Sequence, residues 1–154
     1  MLYLTGEFKV TLDEKGRISL PALLRRCLNE STLFLTEGSD NCLWLYPGSQ
    51  WNEMINTIMK NTDPFSQKGR NLRRRIIGPS QEVEIDKAGR IPVAASLRDS
   101  AGLIKDCVVL GQVDYIEIWD EERYRKFRDQ SNDEYNAASE ELSLTIKKSR
   151  GISD

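Results

Sequence analysis

Apolar and polar positions alternate along two short stretches of the chain. In residues 7–12, Phe8, Val10 and Leu12 alternate with polar neighbours, and Val83 and Ile85 do the same in residues 81–85. A period of two predicts half-buried strands. Each stretch leads into an Asp-x-x-Gly-Arg turn and a short strand, residues 17–20 or 90–93. A helix of about two turns should follow; Pro21 stands where a helix-initiating proline belongs, ahead of Leu23, Leu24 and Leu28. Two further strands come next in each half, residues 32–37 with 42–47 and residues 107–112 with 115–120, turning at 38–41 and 112–114.

A second helix is expected to start at Ser49 in the first half and at Asp120 in the second, both favoured N-cap residues. Trp51, Ile55 and Ile58 or Met59 would face inward from one; Tyr124, Phe127 and Tyr135 mark the other, predicted to reach about Leu144. The tail 147–154 is expected to fray. Between the halves lies a linker with a basic helical segment near Leu72.

This plan is written twice. Asp13, Gly16 and Arg17 recur as Asp86, Gly89 and Arg90, displaced by 73 residues, and the same displacement carries Val10 to Val83, Ile18 to Ile91, Leu24 and Arg25 to Leu97 and Arg98, and Leu43 to Ile116. Tyr46 and Trp51 map onto Trp119 and Tyr124. A gapless displacement of this extent reads as a tandem duplication. With 154 residues, each half is too small to bury much apolar surface alone, so the two should share a core or oligomerise.

Composition narrows the chemistry. The chain is 39% hydrophobic and 30% charged, as expected for a folded globular protein in the cytoplasm, without a membrane span or a secretory signal in its first residues. No histidine is present, which excludes a Ser-His-Asp triad and the commonest zinc ligand. Cys27, Cys42 and Cys107 are widely spaced and read as reduced thiols packed as small hydrophobes. Paired carboxylates, Asp13 with Glu14 or Glu82 with Glu84, are the best catalytic candidates, but nothing near them supplies a nucleophile, and no enzyme, metal, cofactor or small-molecule substrate is expected. A net charge of −2 does not advertise nucleic-acid binding, although basic residues gathered on one face would suffice.

The Gly-Arg turns carry that basic character. Lys15 and Arg17 flank Gly16; Lys87 and Arg90 flank Ala88 and Gly89. Glycine at a tip lets backbone approach a partner, and the arginine beside it can fork onto phosphate or read guanine. The alternative is that Arg17 and Arg90 pair with Asp13 and Asp86 and fasten their own turns, the aspartates shaping the loops. Arg73, Arg74 and Arg75 are secondary phosphate candidates, weighed against a solvated face or ion pairs with the acidic C-terminal helix. Trp44, Tyr46 and Trp119 read as core or interface aromatics.

The stretches "GEFKVTLDEKGRISLPALLR", "EVEIDKAGRIPVAASLR" and "GLIKDCVVLGQVDYIEIWDEERY" resemble the MraZ family of bacterial transcriptional regulators, related to the AbrB and MazE swapped-hairpin DNA-binding domains. The resemblance runs from about Gly6 to Tyr124. It implies an α+β fold of two tandem AbrB-like swapped-hairpin β-barrel halves with short helices, related by a pseudo-twofold axis and assembling into homo-oligomeric rings. The segments expected are a first repeat over 1–62, a basic linker over 63–80, a second repeat over 81–126, and a charged C-terminal helix and tail over 127–154. It further implies a nucleoid-associated regulator that binds short direct repeats in double-stranded DNA, upstream of the operon for cell-division and cell-wall functions, and that controls its own expression. DNA contact falls on Lys15, Gly16 and Arg17 and on Lys87, Gly89 and Arg90, with Asp13 and Asp86 shaping the loops. Family members carry proline where Ala94 stands; the proline here is Pro92. A ring-forming module with a protein partner, including an antitoxin-like one, is the alternative.

Overall fold

Residues 3–28, 30 and 32–151 are described by the computed structural model. The N-terminal Met1 and Leu2, and Ile152 to Asp154 of the tail expected to fray, lie outside them. The chain divides into two units, one reaching Glu121 and the other running from Glu122 onward.

In the first unit each half builds the same elements. The first contributes β1 (Glu7–Thr11), β2 (Arg17–Ser19), α1 (Ala22–Cys27), β3 (Thr32–Glu37), β4 (Leu43–Pro47) and α2 (Gly48–Asn61). After α3 (Gln67–Ile76), the second contributes β5 (Gln81–Glu84), β6 (Arg90–Pro92), α4 (Ala95–Ala101), β7 (Asp106–Gly111) and β8 (Ile116–Asp120), and α5 (Glu121–Gln130) begins at its end. The limits of β2 and β6, and of β4 and β8, repeat at the displacement of the sequence.

The halves exchange strands. The six-stranded antiparallel sheet runs β1-β7-β8-β4-β3-β5, and a separate two-stranded ribbon pairs β2 with β6. The first strand of each half therefore lies against the third strand of the other. Equivalent residues meet where the pseudo-twofold axis crosses: Ile18 opposite Ile91 in the ribbon, and Trp44 opposite Glu117 between β4 and β8. The fold is mixed α+β and duplicated; because strands cross over, the halves share one sheet, which is not a closed barrel among the described residues.

One core results. Ile18, Leu24, Leu33, Leu35, Leu43 and Leu45 from one half, and Ile91, Leu97, Cys107, Val109, Ile116 and Ile118 from the other, are all essentially inaccessible to solvent. Each fully buried Leu or Ile contributes about 1.5–3 kcal/mol, so neither half would keep its core after separation. The sheet's other face carries an aromatic group, with Tyr46 stacked on Tyr115 at 4.8 Å and Phe34 on Trp51 at 5.4 Å. Ile55 and Ile58 of α2 are half-buried, whereas Met59 is exposed.

Several local expectations change. Ser49 does not cap α2: the helix starts at Gly48, and the Ser49 amide donates to Glu30 Oε2 at 2.9 Å. A carboxylate from a distant loop thus satisfies an orphan N–H that the helix's own sequence leaves open. Ala94 starts α4 without difficulty. Its φ/ψ of −60°/150° nearly equals the −55°/141° of Pro21 before α1, so alanine adopts the extended geometry that proline pre-sets. In the second unit α6 (Asn132–Ser149) continues well beyond Leu144, with Lys147 and Lys148 inside the helix. Among the described residues no helix is long and apolar enough to cross a membrane.

Candidate nucleic-acid interface

The two Gly-Arg turns are built by identical local chemistry. Asp13 Oδ1 accepts the amides of Lys15 and Arg17, each at 2.9 Å, and its Oδ2 accepts Arg17 Nε at 2.9 Å. Asp86 repeats this on the amides of Ala88 and Arg90 at 2.9 Å and on Arg90 Nε at 3.0 Å. Aspartate is short enough to reach amides two and four residues on, which closes the turn. The Arg17 amide leads the interactions that hold the Asp13 carboxyl below its ordinary value, against an opposing desolvation; the Arg90 amide does the same at Asp86. The arginine–aspartate pairs weighed from sequence are therefore present in both copies.

The swapped ribbon puts the turns together. Leu20 N–H donates to Gly89 O and Val93 N–H to Gly16 O, both at 2.8 Å, so each turn is bonded to the strand that leaves the other. Because Ile18 and Ile91 point into the core, the alternation of the ribbon turns Arg17 and Arg90 to the opposite face. There Arg90 Nη1 also lies 4.0 Å from Asp13 Oδ2, an ion pair between copies. Lys15 and Lys87 are exposed beside them, as is Glu14.

The glycines differ from the open tips expected. Gly16 and Gly89 have φ of +75° and +79°, which glycine adopts without strain, yet both are buried. A Cβ at Gly16 would strike the guanidinium of Arg98, and one at Gly89 that of Arg25. Each tip is thus roofed by an arginine from the helix of the other half, and the missing side chain makes room for this intramolecular lid. Arg98 Nη1 additionally donates to Val93 O. Arg25 and Arg98 were not singled out from sequence as site residues, although both stand in the repeat. What a linear reading lacks is that the strand exchange carries each over the opposite turn.

The remaining candidates are dispersed. Arg73 donates through Nε to Thr62 Oγ1 at 2.9 Å and through Nη2 to Thr62 O at 3.0 Å, closing the end of α2. Arg75 pairs with Glu37 at 2.8 Å, and Arg74 is exposed. The partners shown for Arg73 and Arg75 are thus both in the first half. Glu82 and Glu84 are exposed on β5. Among the described residues no group of three or more His, Cys, Asp or Glu is placed to hold a metal. Cys27 is half-buried; Cys42 and Cys107 are buried, and burial pushes the Cys107 thiol up to about 12.

Residues 3–75 and 76–146 each match a family described as "MraZ protein, putative antitoxin-like". A protein of Treponema denticola named Transcriptional regulator MraZ is 45% identical over 139 residues, covering 90% of this chain and 96% of the relative. Proteins of the same name are 42% identical in Treponema pallidum, over 90% of this chain and 93% of the relative, and 37% identical in Saccharopolyspora erythraea, over 89% and 94%.

Proposed function

The chain belongs to the MraZ family, and from that membership we propose that it is a sequence-specific DNA-binding transcriptional regulator. The observation that carries this reading is the swapped ribbon, which sets Arg17 and Arg90 on one outward face with Lys15 and Lys87 beside them. The relatives' shared name, Transcriptional regulator MraZ, supports it.

The turns are suited to phosphate or base contact because they are preorganised. With Nε held on aspartate, each guanidinium loses little freedom when its terminal nitrogens engage a partner. The same aspartates offset much of the positive charge, so a single pair of tips binds weakly. Affinity then comes from number: a homo-oligomeric ring engaging several short direct repeats at once gains roughly 10²–10⁴ over a single contact. On this reading Arg17 and Arg90 make the base or phosphate contacts, Lys15 and Lys87 engage the backbone, Gly16 and Gly89 hold the tips, and Arg74 adds a secondary phosphate contact. The repeats 1–62 and 81–126 are the binding halves, joined by the basic linker 63–80 and followed by the C-terminal segment 127–154. The regulated genes are the chain's own and the operon for cell division and cell wall, placing the protein on the nucleoid in the cytoplasm.

Selection of bound duplexes from a random library tests this. Enriched boxes recurring at a regular pitch are expected; a library that stays random after selection would overturn the reading.

A further inference from the structure

Phe65 is 91% exposed, yet the turn that carries it, between α2 and α3, is held rigidly. Its amide donates to Asp63 Oδ1 at 2.9 Å, and the Ser66 amide donates to Asp63 O at 3.0 Å. Arg70 Nη1 donates to Pro64 O and Arg73 Nη2 to Thr62 O, each at 3.0 Å. Gly69 is buried against Asp63, whose carbonyl a Cβ would strike. An aromatic side chain on such a turn is preorganised: covering its ring costs little ordering and removes apolar surface from water.

A feature of matching size and character lies elsewhere on the same unit. Beside α1 a cavity of about 330 Å³ is lined by Tyr3, Thr5, Leu23, Leu24, Arg26 and Cys27. Cys27 Sγ donates to Leu23 O at 3.5 Å and to Tyr3 O at 3.7 Å, which ties its two walls together. An apolar cavity of about 150 Å³ already accommodates benzene, so a phenyl ring fits this one. Phe65 of the same chain does not fill it, being exposed.

The lining belongs to the first half alone. The displacement of 73 carries Leu23, Arg26 and Cys27 to Ser96, Asp99 and Ser100, which are polar or acidic. Each chain therefore has one Phe65 and one such lining to receive it. Charge agrees with the pairing: Asp63 and Arg26 are both exposed, and neither makes an ion pair among the described residues. Lys68 follows Phe65 where Asp63 precedes it, so the favoured entry sets Asp63, and not Lys68, beside Arg26.

We propose that Phe65 of one copy of this chain fills the α1 cavity of the next, with Asp63 of the first against Arg26 of the second. The contact joins two different surfaces, so each copy gives its Phe65 to one neighbour and its cavity to the other, and repetition closes a ring. It supplies the subunit contact of the ring in the proposed function and rests on that reading.

Native mass spectrometry of the full-length chain tests it. The parent is expected as a ring of three or more copies. Phe65→Ala and Leu23→Asp, both at exposed positions, should each weaken subunit association roughly a hundredfold and leave monomers with an unchanged circular dichroism spectrum. Mixing the two variants, one carrying a mass tag, should yield a one-to-one heterodimer and nothing larger. The Leu23→Asp chain still offers Phe65 and the Phe65→Ala chain still offers the cavity, but neither can extend the contact. Variants that remain rings, or a mixture that stays monomeric, would overturn the proposal alone. A parent that is itself a monomer or a dimer would overturn the ring reading and this contact with it.

Discussion

In the first turn Glu14 and Lys15 stand between Asp13 and Gly16; in the second Lys87 and Ala88 hold the equivalent places. The hydrogen bonds around them repeat group for group, from the aspartate's two amide contacts to the arginine Nε. The helices that follow show the same split. Leu24 and Arg25 are kept as Leu97 and Arg98, while Leu23, Arg26 and Cys27 become Ser96, Asp99 and Ser100. Residues that build the turn or roof the other tip are the same in both copies; core positions stay apolar but change identity, Leu20, Leu43 and Leu45 becoming Val93, Ile116 and Ile118, and exposed positions such as Leu23 and Arg26 have diverged. The scaffold is symmetric, but the surface it presents is not: the first tip balances two acids with two bases, whereas the second carries one acid and two bases. Two tips that differ in charge need not contribute equally to one partner.

The largest expected effect breaks the comparison at its arginines. Arg17→Ala should lower affinity for direct-repeat DNA at least about a hundredfold, because it removes one tip from every subunit of a multivalent assembly. Arg90→Ala made in parallel measures the other tip. Gel shifts at one fixed salt concentration, with native mass spectrometry confirming an unchanged oligomer, give the ratio. Equal losses would make the tips equivalent despite their unequal charge.

Gly16→Ala and Gly89→Ala act on stability. Each forces an L side chain into positive φ and against a guanidinium, at a cost of about 1–3 kcal/mol in thermal or denaturant unfolding. Pairing Gly16→Ala with Arg98→Ala should recover the steric part and leave the backbone part. If the double variant is no better than the sum of its parts, the arginine roof is not what confines the glycine.

Acid sharpens the comparison of the aspartates. Both carboxyls are held below the ordinary value of 3.8, so the folded state binds their protons less readily than the unfolded chain does. Their contribution is complete above that value and fades as pH falls through the lowered folded-state values. Stability measured between pH 5 and pH 2 should therefore depend less steeply on pH in Asp13→Asn and Asp86→Asn than in the parent.

The smallest effect separates the flanking cations. Lys15→Ala and Lys87→Ala should each reduce the slope of log K against log salt by roughly 0.9 for every phosphate that the lysine neutralises. Ala88→Lys, which gives the second turn the lysine of the first, should raise it by a similar amount if that place faces the backbone of the DNA.

Much of this architecture was legible because it is locally encoded. The period of two in residues 7–12, the Asp-x-x-Gly-Arg signature and the proline ahead of Leu23 each act over a few residues, and the constant displacement doubled every such signal. Elements governed by distant partners were not legible. The N-terminus of α2 takes its capping carboxylate from Glu30, and Arg73 and Arg75 turn to Thr62 and Glu37. The site was half visible: Asp13, Arg17, Asp86 and Arg90 stand out in the chain, whereas Arg25 and Arg98 look like ordinary helix-surface arginines until the halves interleave.

The amino-acid sequence by itself determined the duplication, the identity of the strands and short helices, and the chemistry of the two turns, since alternation, aspartate reach and glycine's positive φ need no partner beyond a few residues. Tertiary structure alone decided that β1 lies against β7 and β5 against β3, that both arginines share one face, and that each glycine tip is covered by the other half. Those outcomes depend on burying one common core: no half has enough apolar surface to hold its own turn in place, so each turn is completed by the copy 73 residues away.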